Sequence, residues 1–328
     1  MDAPGSAARA EWAAQLGDDV LRRRLVATLS CLHEVEVHAP AAPPLRLRGW
    51  VRVAAWNAQR GHRPHEAAAV LRASGAELLL LSELDWGMAR TANADTTRDL
   101  ADALGAGYGS AYGVEFVELR LGGADERAAL GSGGDNELGL HGNAIVTRAT
   151  LGDVAAVRLD DGGRWFGGDS PEPRVGGRMA LVATVDLDGT AVRVASTHLE
   201  NVTDPDGRAA QFEMLLSALG SGPALIGGDL NSFGTTFDEI VEPAVTHRLH
   251  SERARFVWPV AHEPLFTAAA EHGFSWEAAN VPEPTTTHGP LKIDWLLTRG
   301  LDVASPAVLD AGQLSDHHVV VASVRLAR

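Results

Sequence analysis

The sequence contains a single cysteine, Cys31, among 328 residues. One cysteine excludes an internal disulfide framework and a zinc site built from several cysteines. Long apolar runs are also absent, since no stretch approaches the length of a membrane span. The apolar run that follows Arg22, Arg23 and Arg24 resembles part of an export signal, but it is short and lies behind acidic residues. We therefore expect a cytoplasmic protein.

Basic residues are in the minority. Lys and Arg total 28 against 43 Asp and Glu, which gives a formal net charge of −15. This balance argues against broad contact with a phosphate backbone, so no extensive duplex nucleic-acid footprint is expected. The charge is still compatible with a small phosphate-binding site in which a metal ion supplies the positive charge. The hydrophobic fraction of 45% is typical of a globular protein, and the length suits one large domain or two small ones.

The first 45 residues differ from the rest of the chain. Residues 1–9 look disordered, and apolar residues then recur at helical spacing from Glu11 to Leu29, which predicts one amphipathic helix. A proline-rich stretch at 39–44 interrupts regular structure. We therefore divide the chain into an N-terminal extension, residues 1–45, and a main domain, residues 46–328.

In the main domain, several apolar runs end or begin with an acid, an amide or a histidine. These polar positions are Asn57, Glu83, His198, Asp229, Asp294, and Asp316 with His317. Short strands alternating with helices predict two packed sheets with helices outside. The polar strand ends would then gather at one rim of the sandwich, and residues of these types are those that bind metals and transfer protons.

Residues 224–232 illustrate the pattern. An apolar run ends in Gly227 and Gly228 and is followed by Asp229 and Asn231, whose spacing places both side chains on one face of an extended backbone. The glycines allow another group to approach the backbone closely. A carboxylate beside a carboxamide can orient a water and donate a hydrogen bond to an oxyanion. A strand that ends in an ordinary turn is the alternative interpretation.

Six short motifs resemble, in their order, the signature of the endonuclease/exonuclease/phosphatase superfamily. They are Ala55-Trp-Asn57, Leu81-Ser-Glu83, Ser196-Thr-His198-Leu, Gly228-Asp229-Leu-Asn231, Ile293-Asp294-Trp and Ser315-Asp316-His317. The likeness covers roughly residues 50 to 325. It implies a deoxyribonuclease I-like, four-layer α/β sandwich of two mostly antiparallel sheets flanked by helices. It also implies that residues 46–328 form the catalytic domain of a phosphoesterase that uses Mg²⁺ or Mn²⁺.

The resemblance assigns roles to individual residues. Glu83 would be the main metal carboxylate, assisted by Asn57 and Asp316, because oxygen ligands suit hard cations. Asp229 would orient or deprotonate the attacking water. Asn231 would hold a phosphate oxygen.

Two histidines complete the implied site. His317, oriented by Asp294, would stabilise charge on the phosphoryl group or transfer a proton. His198 would contact the phosphate, with Glu115 as its orienting partner. A histidine at this position is found in the branch that contains pancreatic-type deoxyribonucleases, neutral sphingomyelinases, inositol polyphosphate 5-phosphatases, deadenylases and tyrosyl-DNA phosphodiesterases. His318 should point away from His317 and is interpreted as structural.

The substrate stays open at this level. It is a phosphate ester of a small molecule, a lipid headgroup or a nucleic-acid end, and the main alternative is a nuclease acting on DNA or RNA ends or single strands. A catalytically inactive binding module is less expected because every core position is filled. Specificity would lie in four loops that no motif decodes: 86–98, 120–141, 160–177 and 233–290.

Overall fold

Two β-sheets lie face to face in the computed structural model, which describes residues 1–130, 134–160, 163–241, 249 and 251–328. Within these residues the larger sheet has eight strands and the smaller sheet five. The strands in chain order are β1 (Val35–His38), β2 (Val51–Arg60), β3 (Leu78–Trp86), β4 (Gly109–Glu118), β5 (Leu140–Thr147), β6 (Gly152–Arg158), β7 (Arg174–Gly176), β8 (Met179–Leu187), β9 (Thr190–His198), β10 (Ala224–Asp229), β11 (Asp294–Arg299), β12 (Leu301–Leu309) and β13 (Val319–Leu326).

Most neighbouring strands are antiparallel. The order is β1-β4-β5-β3-β2-β13-β12 in the larger sheet, with β7 beside β4, and β11-β10-β9-β8-β6 in the smaller one. The pairs β2–β3 and β9–β10 are parallel, and each is joined by a connection that contains a helix. Because parallel neighbours point the same way, their carboxyl ends meet at one edge of each sheet.

Some helices cover the outer faces of the two sheets, and others lie at the rim. In chain order they are α1 (Ser6–Ala13), α2 (Asp19–Thr28), α3 (Pro64–Ser74), α4 (Thr96–Leu104), α5 (Ala124–Leu130), α6 (Pro205–Leu219), α7 (Phe237–Val241), α8 (Arg253–Val257) and α9 (Pro264–Glu271). In the described part of the chain, no helix is both long enough and apolar enough to cross a membrane.

The layers follow from the alternation of side chains along the strands. In β3, Leu78 and Leu80 belong to the core between the two sheets, whereas Leu79 and Leu81 belong to the core under α3 and α4. A third core lies between the smaller sheet and the helices α6 and α9. A strand buried on both faces reads as a continuous apolar run, which is why β3 was visible in the sequence. The predicted four-layer α/β sandwich is confirmed.

The N-terminal region differs from the prediction. The expected helix over Glu11–Leu29 is two helices, α1 and α2, separated at Gly17, whose φ of 89° is left-handed. The side chain of Asp18 then caps α2 by accepting from the backbone N–H groups of Val20 and Leu21, both at 3.0 Å. Residues 1–9 are not disordered, because α1 begins at Ser6. The apolar residues keep their helical spacing across Gly17, so the spacing alone did not indicate the break between the two helices.

The extension also contributes to the sheet. Strand β1 pairs with β4 at the edge of the larger sheet, and Leu21, Leu25 and Leu32 are buried in the core under that sheet. The division of the chain at residue 45 stays a prediction about domain organisation.

Several short elements went unpredicted. Strands β6 and β12 are half-exposed edge strands, and β12 contains Pro306, so neither shows a clear apolar pattern. The loops expected at 120–141 and 160–177 contain α5 and β7 respectively. Part of each loop, together with 242–248 and 250 in the loop 233–290, lies outside the described residues.

Candidate active site

The polar strand ends meet where the two sheets come together. In the smaller sheet, Asp229 is paired with His198 on one side and Asp294 on the other. In the larger sheet, Asn57 of β2 is paired with Ser82 of β3, next to Glu83. The register of the paired strands thus places these residues side by side within each sheet.

A cavity of about 640 Å³ opens at this rim. Six of the residues selected from the sequence line it: Glu83, His198, Asp229, Asn231, Asp316 and His317. The other three lie directly behind its wall. Asn57 contacts Glu83 and Asp229, Asp294 contacts His317, and Glu115 lies near His198. The structure therefore brings all nine selected residues together.

The two glycines of β10 permit a close approach of neighbouring backbone, as the sequence suggested. A Cβ on Gly228 would lie 1.9 Å from the carbonyl oxygen of Thr197 on β9. A Cβ on Gly227 would lie 2.7 Å from a methyl group of Leu80 in the other sheet. Glycine at both positions thus lets β10 fit between β9 and the larger sheet, and it sets Asp229 beside His198.

Backbone strain concentrates at the same rim. Glu83 and Asn231 have left-handed backbones, with φ of 56° and 46°, and so do Gln59 and Arg60, with φ of 42° and 74°. The pairing of β3 with β5 shifts register between Leu81 and Leu84, so Glu83 occupies a bulge. Non-glycine residues in this region cost on the order of 1–3 kcal/mol each and persist only where their surroundings hold them.

Asn57 joins the carboxylates of the two sheets. Its Nδ2 donates to Glu83 Oε1 at 3.0 Å and to Asp229 Oδ2 at 3.2 Å, while its Oδ1 accepts from the backbone N–H of Gln59 at 3.1 Å. The last contact fixes the amide so that its nitrogen faces the carboxylates. Asn57 thereby holds Glu83 and Asp229 at a defined separation.

Arg60 contacts the second oxygen of Glu83. Its Nη1 donates to Glu83 Oε2, and its Nε donates to Glu126 Oε1 at 3.0 Å. Burial acts to raise the pKa of Glu83, but Arg60, together with His198, His141 and the Asn57 hydrogen bond, holds that pKa well below its usual range. Glu83 is therefore ionised at neutral pH.

Asp229, Asp294 and His317 form a buried acid–base cluster. His317 Nδ1 lies 2.8 Å from Asp294 Oδ2, and His317 Nε2 lies 3.8 Å from Asp229 Oδ2. Burial acts to lower the pKa of His317, but Asp294 and Asp229 raise it to about 10. Burial, together with the charge of Asp294, raises the pKa of Asp229 to about 7. The cluster thus pairs a protonated imidazole with a carboxylate that titrates near neutrality.

His198 approaches Asp229 from the other side, with 3.5 Å between His198 Nε2 and Asp229 Oδ2. Glu115 Oε2 is 3.8 Å from His198 Nδ1, beyond hydrogen-bond distance, and neither atom has a hydrogen-bond partner among the described residues. Burial, reinforced by Arg178, lowers the pKa of His198 well below its usual value. The imidazole is therefore neutral, and the suggested Glu115–His198 pair is close but not bonded.

Asn231 is held by its side chain and Asp316 by its backbone. The Nδ2 of Asn231 donates to the carbonyl of Leu199 at 2.8 Å, which leaves its second N–H for another acceptor. The N–H of Asp316 donates to Gln59 Oε1 at 3.1 Å. Burial raises the pKa of the Asp316 carboxyl, and the charge of Glu83 adds to the effect.

The donor groups fit a hard divalent cation. Glu83 and Asp316 offer carboxylate oxygens, and the charge of Glu83 acts on Asp316. Asn57 turns its nitrogen toward Glu83, so its oxygen would join them only if the amide turned away from the Gln59 N–H. Ligand atoms of Asp229, Asp294 and His317 also lie within 4.8 Å of one another. In that cluster Asp294 Oδ1 is a buried carboxylate oxygen without a hydrogen-bond partner among the described residues. Sequence reasoning treated this second cluster as catalytic and did not consider it as a set of ligands.

Several charged residues of the cavity were not found from the sequence. Arg60, His141, Glu172, Arg174 and Arg178 all line it. Burial lowers the pKa of His141 to about 4, so its ring is neutral, and its Nδ1–H donates to Asp85 Oδ1 at 2.8 Å. Only Arg60 had a sequence signal, its position three residues after Asn57.

Trp165 also lines the cavity. Its Nε1 donates to Glu200 Oε2 at 2.7 Å, and the Arg174 guanidinium lies 4.0 Å from the centre of its ring. These contacts fix the indole against the charged part of the cavity.

A two-sheet sandwich with acidic, amide and histidine residues at one rim is the arrangement described above, and comparison with known families agrees with it. The model of the Endonuclease/Exonuclease/phosphatase family matches residues 54–317, so the chain belongs to this family. Members of the family are generally hydrolases that act on phosphoester bonds. No curated protein sequence matches the chain.

Solved structures share the fold. An endonuclease/exonuclease/phosphatase from Beutenbergia cavernae DSM 12333 aligns at TM-score 0.60 and 23% identity, over 85% of this chain and 72% of that one. The human Nocturnin catalytic domain with bound sulfate aligns at TM-score 0.55 and 17% identity, over 90% of this chain and 98% of that one. A family member from Bacteroides vulgatus aligns at TM-score 0.54 and 15% identity, over 85% of this chain and all of that one (100%). At these identities the likeness establishes the fold alone.

Proposed function

We propose that the protein is a divalent-metal-dependent phosphoesterase that hydrolyses a phosphodiester or phosphomonoester by attack of water. One observation carries this proposal. Asn57 touches both Glu83 and Asp229, and the Nε2 atoms of His198 and His317 approach the same Asp229 oxygen from two sides. A phosphoryl group at this point would meet a metal carboxylate, a base and two imidazoles at once.

Glu83 and Asp316 would hold Mg²⁺ or Mn²⁺, and Asn57 would join them if its amide turned its oxygen from the Gln59 N–H toward the ion. When bound, such an ion polarises the phosphoryl oxygens and stabilises charge on the leaving oxygen. Within the protein, Arg60 and Asn57 each occupy one oxygen of Glu83 and so orient its carboxylate. By orienting the carboxylate, these two side chains would increase the affinity of the site for the metal ion.

Asp229 takes a proton from the attacking water. Its pKa, raised to about 7 by burial and Asp294, suits a general base at neutral pH. The free N–H of Asn231 donates to a phosphate oxygen. Because Asp294 accepts the Nδ1–H of His317, the protonated ring presents its Nε2–H to the phosphoryl group, where negative charge develops.

The remaining candidate functions differ in the substrate that they would act on or bind. A nuclease acting on DNA or RNA ends or single strands uses the same groups, and the net charge of −15 disfavours a long duplex. An inactive binding module would keep the cavity without turnover. The cytoplasmic location belongs to the proposal and rests on the sequence alone.

Hydrolysis of bis-p-nitrophenyl phosphate tests the proposal. We expect turnover with added Mg²⁺ or Mn²⁺ and none with a chelator, because the implied ligands are hard oxygens. Glu83→Ala should lower kcat/KM by about 100-fold or more while the protein stays folded. The matched control is Glu137→Ala, which removes an exposed carboxylate and should leave turnover unchanged.

Full hydrolysis after exhaustive chelation would contradict metal dependence. An unchanged metal titration in Glu83→Ala would show that the ligand is misassigned. Phosphate binding without turnover under any metal would instead identify the inactive binding module.

A further inference from the structure

The cavity has two unlike walls. One carries the charged and catalytic side chains described above. The other is apolar, and its lining side chains are Phe233, Phe237, Ile240, Leu249, Leu291 and Ile293. Cleavage of a phosphate ester bond does not itself require an apolar surface. This second wall therefore needs a separate explanation.

The apolar wall begins beside the reacting groups. Phe233 follows Asn231 by two residues, and its N–H donates to the Asn231 carbonyl at 2.9 Å. Ile293 immediately precedes Asp294, and its carbonyl accepts from the N–H of Leu230 at 2.8 Å. A group attached to a phosphate at Asp229 and Asn231 would therefore lie in the same cavity as the apolar wall.

Buried contacts hold this wall in place. The Arg208 guanidinium lies 5.5 Å from the centre of the Phe233 ring and forms a buried ion pair with Glu263. Glu263 Oε1 also accepts from the N–H of Gly234 at 2.7 Å, and Arg208 Nη2 donates to the carbonyl of Thr235 at 2.8 Å. The segment after Asn231 is therefore anchored on both sides, which presents Phe233 and the neighbouring Phe237 in a fixed arrangement, 6.0 Å between ring centres.

The wall is a hydrophobic cluster of its own, distinct from the three cores between the layers. Phe256 belongs to the same cluster but does not line the cavity, so it supports the wall from behind. Phe237 is half-buried and the other lining side chains are buried, so a ligand in the cavity would meet a packed apolar surface. The volume of about 640 Å³ suits a ligand of nucleotide or drug size.

We propose that the substrate is a phosphodiester that carries a compact, ring-sized apolar group, and that this group packs on Phe233, Phe237 and Ile240. The inference rests on the proposed phosphoesterase activity and adds the chemistry of the group beside the phosphate. The ring belongs either to a nucleoside or to another aryl ester. Both sources share the flat apolar surface that the wall recognises.

Two synthetic diesters with the same leaving group test the inference. Methyl p-nitrophenyl phosphate presents no ring beyond the leaving group, whereas phenyl p-nitrophenyl phosphate presents one. We expect kcat/KM to be at least about tenfold higher for the phenyl ester, the scale on which apolar pockets discriminate. Thymidine 5′-p-nitrophenyl phosphate is the third substrate. A value above the phenyl ester assigns the ring to a nucleoside, and a value between the phenyl and methyl esters assigns it to another aryl group.

Substitutions in the apolar wall test whether the preference for the phenyl ester arises there. Phe237→Ala should reduce the phenyl-to-methyl ratio of kcat/KM to near one, and Ile240→Ser should reduce it likewise. Phe256→Leu alters the same cluster behind the wall and should keep the wild-type ratio. The ratio compares two substrates on one sample of enzyme. Partial unfolding of a variant lowers both kcat/KM values by the same factor and leaves their ratio unchanged.

Equal kcat/KM for the methyl and phenyl esters in the wild type, or a ratio unaffected by both wall variants, would overturn the inference while leaving the phosphoesterase activity intact. Hydrolysis of none of the three esters under Mg²⁺ or Mn²⁺ would overturn the proposed function and the inference with it.

Discussion

At the scale of single residues, the two imidazoles beside Asp229 differ in charge. His317 is held by Asp294 at 2.8 Å and its pKa is raised, because Asp294 and Asp229 together outweigh the effect of burial. His198 lacks such a bond, and burial with Arg178 lowers its pKa. One ring therefore supplies positive charge to the phosphoryl group, and the other supplies a neutral donor or acceptor.

We expect His198→Ala and His317→Ala each to lower kcat/KM by about 100-fold or more, the scale of a positioned acid, base or electrostatic group. The double variant should lose less than the sum of the two free-energy changes, because groups that act on one phosphoryl are not additive. Steady-state kinetics on bis-p-nitrophenyl phosphate, with thermal melts to check folding, measure both effects.

His318→Ala is the matched control. His318 lies outside the cavity, with its Nδ1 3.4 Å from Asp310 Oδ1, so its loss should leave turnover unchanged. A near wild-type rate in His198→Ala beside an inactive His317→Ala would remove the protein from the histidine-containing branch.

Lys292 gives a prediction about stability. Its side chain is fully buried, with Nζ 3.4 Å from the carbonyl of Asp294 and 4.7 Å from the centre of the Trp295 ring. Burial lowers the pKa of Lys292 to about 7, against 10.5 for an ordinary lysine. Between these pH values the unfolded chain binds the extra proton, so wild-type stability should rise with pH across this window.

Lys292→Met should remove this dependence. At pH 7 we expect the variant to melt on the order of 1–3 °C above the wild type, and the gap should shrink toward pH 10. Calorimetry across that range makes the comparison. A gap that widens with rising pH would show that Lys292 is charged in the folded protein.

The candidate site could be predicted from the sequence only in part. Asn57, Glu83 and Asp229 were recognisable because each follows a run of apolar residues, a pattern that is local in sequence. Arg178 and His141 were not, because each enters the site through a partner far away in the chain, namely Glu115 and Asp85. No local pattern reports such pairs.

At the scale of elements, the pairing of β9 with β10 positions the chemistry. A Cβ on Gly228 would lie 1.9 Å from the Thr197 carbonyl oxygen and 2.9 Å from its carbon, and the φ of 150° disfavours any side chain. Backbone atoms cannot move aside without breaking the strand pair. We expect Gly228→Ala to cost about 3 kcal/mol of the free energy of unfolding.

Urea denaturation measures this cost. The matched control is Gly222→Ala, just before the same strand, where an added Cβ meets nothing within 4 Å. That change should stay within about 0.5 kcal/mol of the wild type. Equal effects of the two substitutions would mean that the close approach of β9 and β10 is not required.

Most central elements could be predicted from the sequence, and most edge elements could not. Strands β3, β10 and β13 are buried and read as apolar runs with clear ends. Strand β6 is partly exposed along its length, so its composition resembles that of a loop. The break between α1 and α2 depends on the backbone angle at Gly17, which apolar spacing does not encode.

At the scale of the whole molecule, the N-terminal extension shares a core with the sheet. Leu21 of α2 is 5% exposed and belongs to the core under the larger sheet, whereas its neighbour Val20 is 81% exposed. We therefore expect Leu21→Ala to lower the free energy of unfolding by about 2–4 kcal/mol and Val20→Ala to have little effect.

Chemical denaturation followed by tryptophan fluorescence tests whether the loss reaches the whole fold. A single transition that shifts as a unit in Leu21→Ala would mean that residues 1–45 and 46–328 unfold together. Two transitions, of which only the smaller one shifts, would mean that the extension is a separate unit.

The left-handed backbone at Glu83 has a consequence for any effort to improve the protein by selection. Glycine adopts that φ of 56° without penalty, so replacing Glu83 with glycine relieves strain that the bulge of β3 imposes. The same replacement deletes the implied metal carboxylate. A search for heat-resistant variants that ignores turnover would therefore favour loss of the active site, and stability and catalysis trade against each other at this one backbone position.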